Sequence, residues 1–418
     1  MCSEVPLPEG GQGPPRPTVG EIVRAHGAAY QALHALTEAQ RKVLRDIGVC
    51  RTPVLGGRLE ACETCGYRRA VFHSCRNRHC PGCQALPQAR WVEGRLARLL
   101  PTDYFHVVFT VPDTLLNGLA MRNRRLFFDA LFDAGSQTLL QLGQDPRRLG
   151  AQLGLTAVLH TWTRDLRFHP HLHCIVTGGG LTPDGARWRA GKRTFLFPVR
   201  VLSALFRGKL LAALDAAFLS DALITDGVEG FDDPSAAASA WKRLKRKLYA
   251  TKWVSYAKQP FAGPEAVYRY LGQYTHRVGI SNHRLLSATP EAVTFRTRGD
   301  ATATLPPLDF LRRFLLHVLP RGFVKLRHYG LLAPGNVNGR LATARSLLGN
   351  TPHAALPVPT GSADPTALVT RTAAPTDWRA LFRRLTGKDL SVCPVCKAPL
   401  VAGPLSGLER TPTPSDTS

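Results

Sequence analysis

The feature that most restricts the fold is a cysteine-rich block at residues 62–83, "CETCGYRRAVFHSCRNRHCPGC". Cys62, Cys65, Cys80 and Cys83 form two CxxC pairs, a spacing that lets two tight turns converge on one tetrahedral ion. A closed shell of thiolates favours zinc and leaves no open position for a substrate. The block therefore predicts a structural zinc site. Cys75, His73 and His79 also lie inside it, so one of them could replace a cysteine in the shell, or a histidine could join Cys75 in a second partial site. The spacing leaves the fourth ligand open. Metal-free cysteines are disfavoured, because this polar, arginine-rich background would make a poor core.

Charge and targeting signals narrow the functional class. The chain of 418 residues has 54 lysines and arginines against 30 acidic residues, a formal net charge of +24. An excess of this size indicates nucleic acid as the partner. The sequence shows no signal peptide, lipidation motif or apolar run near 18 residues, which argues against a membrane protein. Most cysteines lie in or beside CxxC pairs, as expected in a reducing compartment. We therefore expect an intracellular protein.

The pattern of apolar residues predicts an α+β fold. Helical spacing covers residues 20–47, and an arginine-studded helix is expected from Gln84 to Leu100. The remaining predicted elements, in chain order, are a buried strand "YFHVVFTVP", a helix at about 113–142, strands "LGLTAVLHTW" and "HPHLHCIV", a glycine turn at 178–180, a strand "TFLFPV", helices at about 200–218 and 238–249, a helix containing "YRYLGQYTHRV", a strand "AVTFRTR" and a helix "LDFLRRFLLHVL". Strands and helices are mixed without an internal repeat.

Three alternating histidines mark the predicted strand "HPHLHCIV". Successive side chains of a strand point to opposite faces, so His169, His171 and His173 share one face and could direct two or three imidazoles at one ion. The simpler alternative is a half-exposed strand with outward-facing histidines. A zinc hydrolase of the HxHxDH kind is a further alternative, but position 174 is Cys, so the aspartate of such sites is absent. A site with few protein ligands would leave positions open for a phosphate oxygen.

A pair of tyrosines could supply a nucleophile beside that metal. In "YRYLGQYTHRVGISNHR", Tyr270 and Tyr274 are spaced i, i+4 on a predicted helix, and Arg277 lies one turn further along. A metal that polarises a phosphate, with cations near the phenolate, would help tyrosine to form a covalent phosphotyrosine. The simpler reading is an aromatic stripe that packs against the sheet. The histidine strand and the surrounding arginines favour the catalytic reading.

Four segments, in this order, resemble one known family: "CETCGYRRAVFHSCRNRHCPGC", "HTWTRDLRFHPHLHCIVTGGGL", "YLGQYTHRVGISNHRL" and "FLRRFLLHVLPRGFVKLRHYGLL". Together they are similar to the HUH-type transposases of the insertion sequence 91 family, in which a transposase zinc-binding domain precedes a tyrosine DNA nuclease. The family's histidine motif falls on His171 and His173, and its tyrosine motif falls on Tyr270 and Tyr274. A third metal ligand is expected, with His169 the first candidate and His160 the second.

The resemblance implies a bacterial cytoplasmic enzyme that nicks single-stranded DNA at the ends of a transposon, with magnesium or manganese at the histidines. It further implies a 5′-phosphotyrosine bond, a free 3′-hydroxyl and rolling-circle-like movement, on an antiparallel sheet with the histidine strand at its centre. Both tyrosines are present, so a two-tyrosine strand exchange is open to this chain. Association with the nucleoid would follow from DNA binding, and a homo-oligomer is left open. A related replication initiator or relaxase and a non-catalytic zinc-ribbon protein that binds nucleic acid are the alternatives.

The expected organisation divides the chain into five parts. They are a disordered N-terminus (1–18), a helical and zinc-binding DNA-binding domain (19–100), an HUH nuclease domain (101–350), a linker (351–376), and a C-terminal segment with a CxxC pair and a disordered tail (377–418). That pair, Cys393 and Cys396, is half a zinc site, which another segment or subunit could complete; the alternative is that it binds no metal.

A basic surface is expected to bind DNA through its phosphates. Its candidate residues are Arg68, Arg69, Arg76, Arg78, Lys242, Arg243, Lys245, Arg246, Arg277, Arg312 and Arg313. Trp241, Trp253 and Tyr256 are candidates for stacking on bases. A solvated charged face is the alternative reading of the same residues.

Overall fold

A computed structural model of the chain describes residues 16–96, 98–192, 196–258, 279–349 and, apart from 381, 384–386 and 388, residues 379–405. Its helices are α1 (Val19–Leu33), α2 (Glu38–Gly48), α3 (Ala85–Leu96), α4 (Asp113–Arg122), α5 (Arg124–Gln144), α6 (Val199–Leu219), α7 (Ala237–Ala250), α8 (Pro307–Leu315) and α9 (Arg340–Gly349). Its strands are β1 (Gly57–Ala61), β2 (Arg68–Phe72), β3 (Tyr104–Thr110), β4 (Gln152–Trp162), β5 (Phe168–Leu181), β6 (Trp188–Ala190), β7 (Ser255–Lys258), β8 (Leu285–Ala288), β9 (Val293–Arg296), β10 (Thr302–Leu305), β11 (Leu326–Gly330) and β12 (Val401–Pro404). The predicted α+β class is confirmed.

A six-stranded antiparallel sheet forms the centre of the fold. Its strand order is β11-β4-β5-β3-β7, and β6 pairs with the glycine-rich end of β5. The long β5 is flanked by β4 on one side and β3 on the other. The strand that carries the alternating histidines therefore occupies a central position, as expected.

Alternation along β5 separates a core face from a second, histidine-bearing face. Leu172, Cys174 and Val176 are buried in the main core, where α5 and α6 cover the sheet. Phe109 of β3 stacks on Phe206 of α6 with ring centroids 4.6 Å apart, which closes this apolar layer. Burial of this face holds the register of the strand, because a shift by one residue would turn the histidines into the core.

The N-terminal helices belong to a second apolar cluster. Thr18 and Thr37 begin α1 and α2 with capping boxes, in which each threonine side chain accepts a hydrogen bond from the backbone three residues on. Val19, Ile22 and Ile47 pack with residues of α8 and of the sheet β10-β9-β8. A third sheet has the order β12-β1-β2, so the C-terminal segment pairs with the first strand of the chain.

One predicted turn, one predicted helix and one predicted strand differ from the structure. The glycines Gly178–Gly180 do not end β5, which continues through them to Leu181. A Cβ at Gly179 would lie 2.5 Å from the backbone oxygen of Arg189 in β6, and a Cβ at Gly180 would lie 2.5 Å from that of Gln152 in β4. Glycine at these positions therefore lets the neighbouring strands approach closely. The helix expected at 113–142 is two helices that meet at Asn123, whose amide group contacts backbone oxygens of Leu119 and Ile224. Of the expected strand "TFLFPV", the described residues 196–198 form a bend before α6.

No helix in the described parts of the chain has both the length and the apolar character that crossing a bilayer requires.

Candidate metal and nucleic-acid sites

Three histidines from two adjacent strands meet on the face of the central sheet that points away from the main core. His160 of β4 lies directly opposite His171 of β5, and His173 follows two residues along on the same face. The ligand nitrogens of the three side chains all lie within 4.8 Å of one another. One ion could therefore contact all three imidazoles.

Hydrogen bonds orient two of these rings. The Nδ1–H of His171 donates to the backbone oxygen of His169 over 2.7 Å, which leaves the Nε2 lone pair available to a metal. Nδ1 of His173 lies 2.8 Å from Nε2 of His106, a histidine of the neighbouring strand β3. Contacts of this kind select the tautomer and fix the direction of the second ring nitrogen.

Burial keeps the site histidines neutral at physiological pH. Desolvation lowers the pKa of His171 to about 4 and holds the pKa values of His160 and His173 well below their usual range. Neutral imidazole is the form that binds a metal, so protons would not compete for this site near pH 7. Three neutral nitrogens fit a divalent cation and leave further positions open to oxygen ligands.

The structure brings His160, rather than His169, to this group. Nδ1 of His169 lies 3.2 Å from a carboxylate oxygen of Asp113, at the start of α4. His169 shares the strand face as predicted, but it falls outside the group of mutually close ligand nitrogens. The geometry therefore favours His160, the second candidate from sequence, over His169 as third ligand, because the register places His160 across from His171.

A first cysteine cluster joins the end of α2 to the cysteine-rich block. Cys50, Cys75, Cys80 and Cys83 bring their sulfurs together, with Cys50 3.4 Å from Cys83 and 3.6 Å from Cys80. Zn–S bonds of about 2.3 Å in a tetrahedron place sulfurs about 3.8 Å apart, close to these separations. Thiol hydrogen bonds from Cys75 and Cys80 lower the pKa of Cys83, while those with Cys75 and Cys83 raise the pKa of Cys80. Four thiolates could not coexist here without a cation among them.

A second cluster contains Cys62, Cys65, Cys393 and Cys396. Sγ of Cys62 lies 3.4 Å from that of Cys396, and Sγ of Cys65 lies 3.6 Å from that of Cys393. These separations also match a tetrahedral sulfur shell. Among the described residues, then, two groups of four cysteines each have the chemistry and spacing of structural zinc.

The expected single shell of Cys62, Cys65, Cys80 and Cys83, with Cys75 nearby, is therefore corrected to two shells. Cys62 and Cys65 lie in the turn between β1 and β2, whereas Cys75 follows the far end of β2. A five-residue strand is about 16 Å long, so the two ends of this hairpin cannot share one ion. Cys50 was missed because a lone cysteine after a helix carries no spacing signal of its own.

The proposed nucleophiles lie outside the described residues. Tyr270, Tyr274 and Arg277 fall within 259–278, between β7 and β8. Their assignment stays a prediction from sequence.

Some of the predicted DNA-binding residues are exposed, whereas others form hydrogen bonds or ion pairs within the protein. Five of the predicted DNA contacts are exposed: Arg68, Arg76, Lys242, Arg243 and Arg246. The last three lie on α7, where Lys247 adds another exposed cation. This part of α7 presents the clustered positive charge that a phosphate backbone attracts.

The other described candidates contact groups of the protein. Lys245 is 2.6 Å from Asp215, Arg69 donates to Glu60, Arg78 donates to the backbone oxygen of Phe323, and Arg312 and Arg313 pair with Asp309. If one of these side chains bound a DNA phosphate, its contact within the protein would have to weaken, or the side chain would have to bind both groups at once.

The tryptophans proposed to stack on bases are buried. Trp241 donates from Nε1 to Asp215 over 2.7 Å, and Trp253 donates to the backbone oxygen of Leu248 over 2.9 Å. Their expected role in base stacking is therefore wrong, since neither ring is accessible. Tyr256 is 40% exposed and stays a prediction for that role.

Comparisons with known proteins relate the chain to transposases. Residues 154–340 match the family described as "Putative transposase", and residues 22–111 match the family described as "Transposase zinc-binding domain". The chain is 46% identical over 391 residues to "Putative transposase y4qJ" of Sinorhizobium fredii, covering 91% of this chain and 93% of that protein. It is 29% identical over 311 residues to "Transposase for insertion sequence element IS801" of Pseudomonas savastanoi pv. phaseolicola, covering 69% and 71%. No solved structure matches. The histidine group lies inside the first matched region, whereas Cys393 and Cys396 lie outside both.

Proposed function

Because the chain belongs to the insertion sequence 91 family of transposases, we propose that it nicks and rejoins single-stranded DNA at the ends of a transposon. The reaction would proceed through a 5′-phosphotyrosine and produce rolling-circle-like movement. The observation that carries this proposal is the group of His160, His171 and His173 on the central sheet, within the region that matches the transposase family. A metal-binding group with open positions for oxygen ligands favours phosphate chemistry over DNA binding alone.

The residues present fit a catalytic divalent ion. His160, His171 and His173 would hold magnesium or manganese, which would polarise the scissile phosphate and draw charge from its oxygens. Neutral imidazoles with their orienting hydrogen bonds are ready to accept such an ion without first losing a proton.

Tyr270 and Tyr274 are the proposed nucleophiles. The phenolate oxygen of one tyrosine attacks the phosphorus, and the bond from phosphorus to the 3′ oxygen breaks. The departing oxygen takes a proton to become a free 3′-hydroxyl, while the 5′-phosphate stays on the tyrosine. Rejoining reverses the step, because an incoming 3′-hydroxyl attacks the phosphotyrosine and releases the phenol. A second tyrosine one helical turn away would allow two strands to be held at once.

The organisation expected from sequence is kept as part of the proposal. The zinc-binding module with the exposed Arg68 and Arg76 would position the DNA through its phosphates, and an HUH-type nuclease domain would carry the chemistry. The antiparallel sheet with its central histidine strand supports this division.

The test uses labelled single-stranded oligonucleotides that carry the ends of the element. We expect a labelled protein band on a denaturing gel when manganese is present, and no band after chelation. The double variant Tyr270→Phe with Tyr274→Phe should form no adduct, because both nucleophilic oxygens are gone. Tyr249→Phe removes an exposed tyrosine hydroxyl from α7 and serves as the control with normal adduct.

Two results would contradict the proposal. Cleavage that persists in the double phenylalanine variant would indicate hydrolysis by metal-activated water. Binding of the element ends without any cleavage, in manganese and in magnesium, would indicate a non-catalytic nucleic-acid-binding protein.

A further inference from the structure

The second cysteine cluster is built from two turns of matching backbone geometry. In the first turn, Gly66 follows the CxxC pair with φ +73°, and its N–H donates to the backbone oxygen of Cys62 over 3.0 Å. In the second turn, Lys397 occupies the same place with φ +67°, and its N–H donates to the backbone oxygen of Cys393 over 3.0 Å. A lysine in this left-handed region is unfavourable and needs support from its surroundings.

A second pair of hydrogen bonds repeats the correspondence. The N–H of Cys62 donates to the backbone oxygen of Tyr67 over 2.8 Å, and the N–H of Cys393 donates to that of Ala398 over 2.7 Å. Each turn is therefore closed in the same way and presents two sulfurs on one side. This is the arrangement in which two CxxC turns form one tetrahedral zinc site.

Strand pairing brings the two turns together. β12 runs antiparallel to β1, with Ala61 opposite Val401 and Arg58 opposite Pro404. Cys62 follows directly on β1, and the second turn lies just before β12, so both turns lie at the same end of the paired strands. The sulfurs of the two turns are then 3.4 and 3.6 Å apart across the interface.

We propose that Cys62, Cys65, Cys393 and Cys396 bind one zinc ion that fastens the C-terminal hairpin (residues 389–405) to the N-terminal zinc-binding domain. This site goes beyond the matched zinc-binding family region, which ends at residue 111. It links residues 334 positions apart in sequence. Since zinc binds the folded arrangement of four thiolates more tightly than the unfolded chain, its binding would stabilise the joined state.

The first test measures the number of zinc ions bound per full-length chain by inductively coupled plasma mass spectrometry. The double variant Cys393→Ser with Cys396→Ser should lose one zinc per chain, and so should Cys62→Ser with Cys65→Ser. The variant with all four changes should also lose only one, because both pairs serve the same ion. Cys174→Ala, which removes a buried thiol outside both clusters, should lose none. No loss in the first variant, or a loss of two in the fourfold variant, would overturn the proposal.

The second test measures whether the ion holds the hairpin. A protease recognition site is inserted after Asp364, the full chain is cut there, and the N-terminal part is captured by a tag. We expect the C-terminal fragment to be captured with it, to be released by a zinc chelator, and to be lost at once from the Cys393→Ser, Cys396→Ser variant. If the variant retained the C-terminal fragment as well as the unchanged protein does, the proposal that zinc fastens the hairpin would be overturned.

Discussion

Nε2 of His106 lies 2.8 Å from Nδ1 of His173, and the two rings stack with centroids 5.0 Å apart. The two side chains belong to adjacent strands, and His106 is itself buried enough that desolvation lowers its pKa to about 4. A neutral His106 can accept the Nδ1 proton of His173, so that the Nε2 lone pair of His173 points to the metal group.

We expect His106 to act as a positioning residue. His106→Leu should weaken manganese binding about 10- to 100-fold, the range typical for loss of a partner that orients a metal ligand. His106→Gln, which keeps an acceptor oxygen, should recover part of that loss. Isothermal titration with manganese measures both, and His34→Gln, at an exposed position directly after α1, is the control. Unchanged affinity in His106→Leu would show that the contact does not orient His173.

The third ligand can be tested directly. We expect His160→Ala to reduce manganese affinity by more than about 100-fold, the upper range for loss of an orienting partner, since it removes one of three candidate ligands. His169→Ala should change affinity less than about 10-fold, because it removes a partner of Asp113 rather than a ligand. The manganese concentration that gives half-maximal DNA cleavage provides a second readout. A reversed order of the two variants would restore His169 as the ligand.

The glycines inside β5 should tolerate no side chain. A Cβ at Gly179 would lie 2.5 Å from the backbone oxygen of Arg189 and 2.8 Å from the indole nitrogen of Trp188. Gly179→Ala should therefore destabilise the protein by about 1–3 kcal/mol through overpacking. Gly208→Ala in α6, where a Cβ would meet nothing within 4 Å, should instead stabilise it by about 0.5–1 kcal/mol. Urea unfolding followed by circular dichroism compares the two, and equal effects would refute the steric argument.

A buried histidine that belongs to none of the three candidate metal groups should make stability depend on pH. His317 lies fully buried, and desolvation lowers its pKa to about 3 from an unfolded value near 6.5. The unfolded state therefore binds the proton first as the pH falls below 6.5, and folded stability declines. As the pH falls from 8 to 5, protonation of this residue in the unfolded state should lower the free energy of unfolding by about 2 kcal/mol.

The variant His317→Gln isolates that contribution. It should lower stability at pH 8, because the hydrogen bond between Nε2 and the backbone oxygen of Leu166 is altered, yet flatten the decline toward pH 5. Urea midpoints at pH 8, 6.5 and 5 provide the comparison. A decline as steep as that of the unchanged protein would mean that His317 is not the titrating group.

The exposed and paired cations of α7 should differ in their contribution to DNA binding. Replacing Lys242, Arg243 and Arg246 by alanine should weaken binding to single strands and reduce the salt slope by about 2, since each phosphate contact contributes about 0.7. Lys245→Ala should leave that slope nearly unchanged, because Lys245 is paired with Asp215. Fluorescence anisotropy at several salt concentrations measures both slopes. Equal slopes in all proteins would place the DNA on another surface.

Local sequence patterns predicted the central strands correctly. They could not predict which residues of different strands come together, because that depends on how the strands pair. The two-residue period of "HPHLHCIV" shows that its histidines share a face, because alternation is a property of one strand. Which other histidine joins them depends on the register between β4 and β5, and only that register places His160 opposite His171. The turn predicted at Gly178–Gly180 was wrong for the same reason, since the groups that require glycine there belong largely to other strands.

The cysteines show the same limit over a longer separation. Each CxxC spacing predicts a metal-binding turn, because the turn is formed by adjacent residues. The spacing contains no information about which two turns meet. Cys62 meets Cys396 across 334 positions, and Cys50 reaches Cys83 from the end of a helix. Long-range strand pairing and helix packing made those choices.

The pairing of β1 with β12 also sets the order in which the protein can be completed during synthesis. A ribosome adds roughly 5–20 residues per second, so the 334 positions between Cys62 and Cys396 take on the order of 20 to 60 s to make. For that interval the edge of β1 stays open, and in the folded protein it is covered by β12, the last of the described strands. A message broken before the codons of β12 would therefore leave a defect at β1, in a module whose other strands are made much earlier.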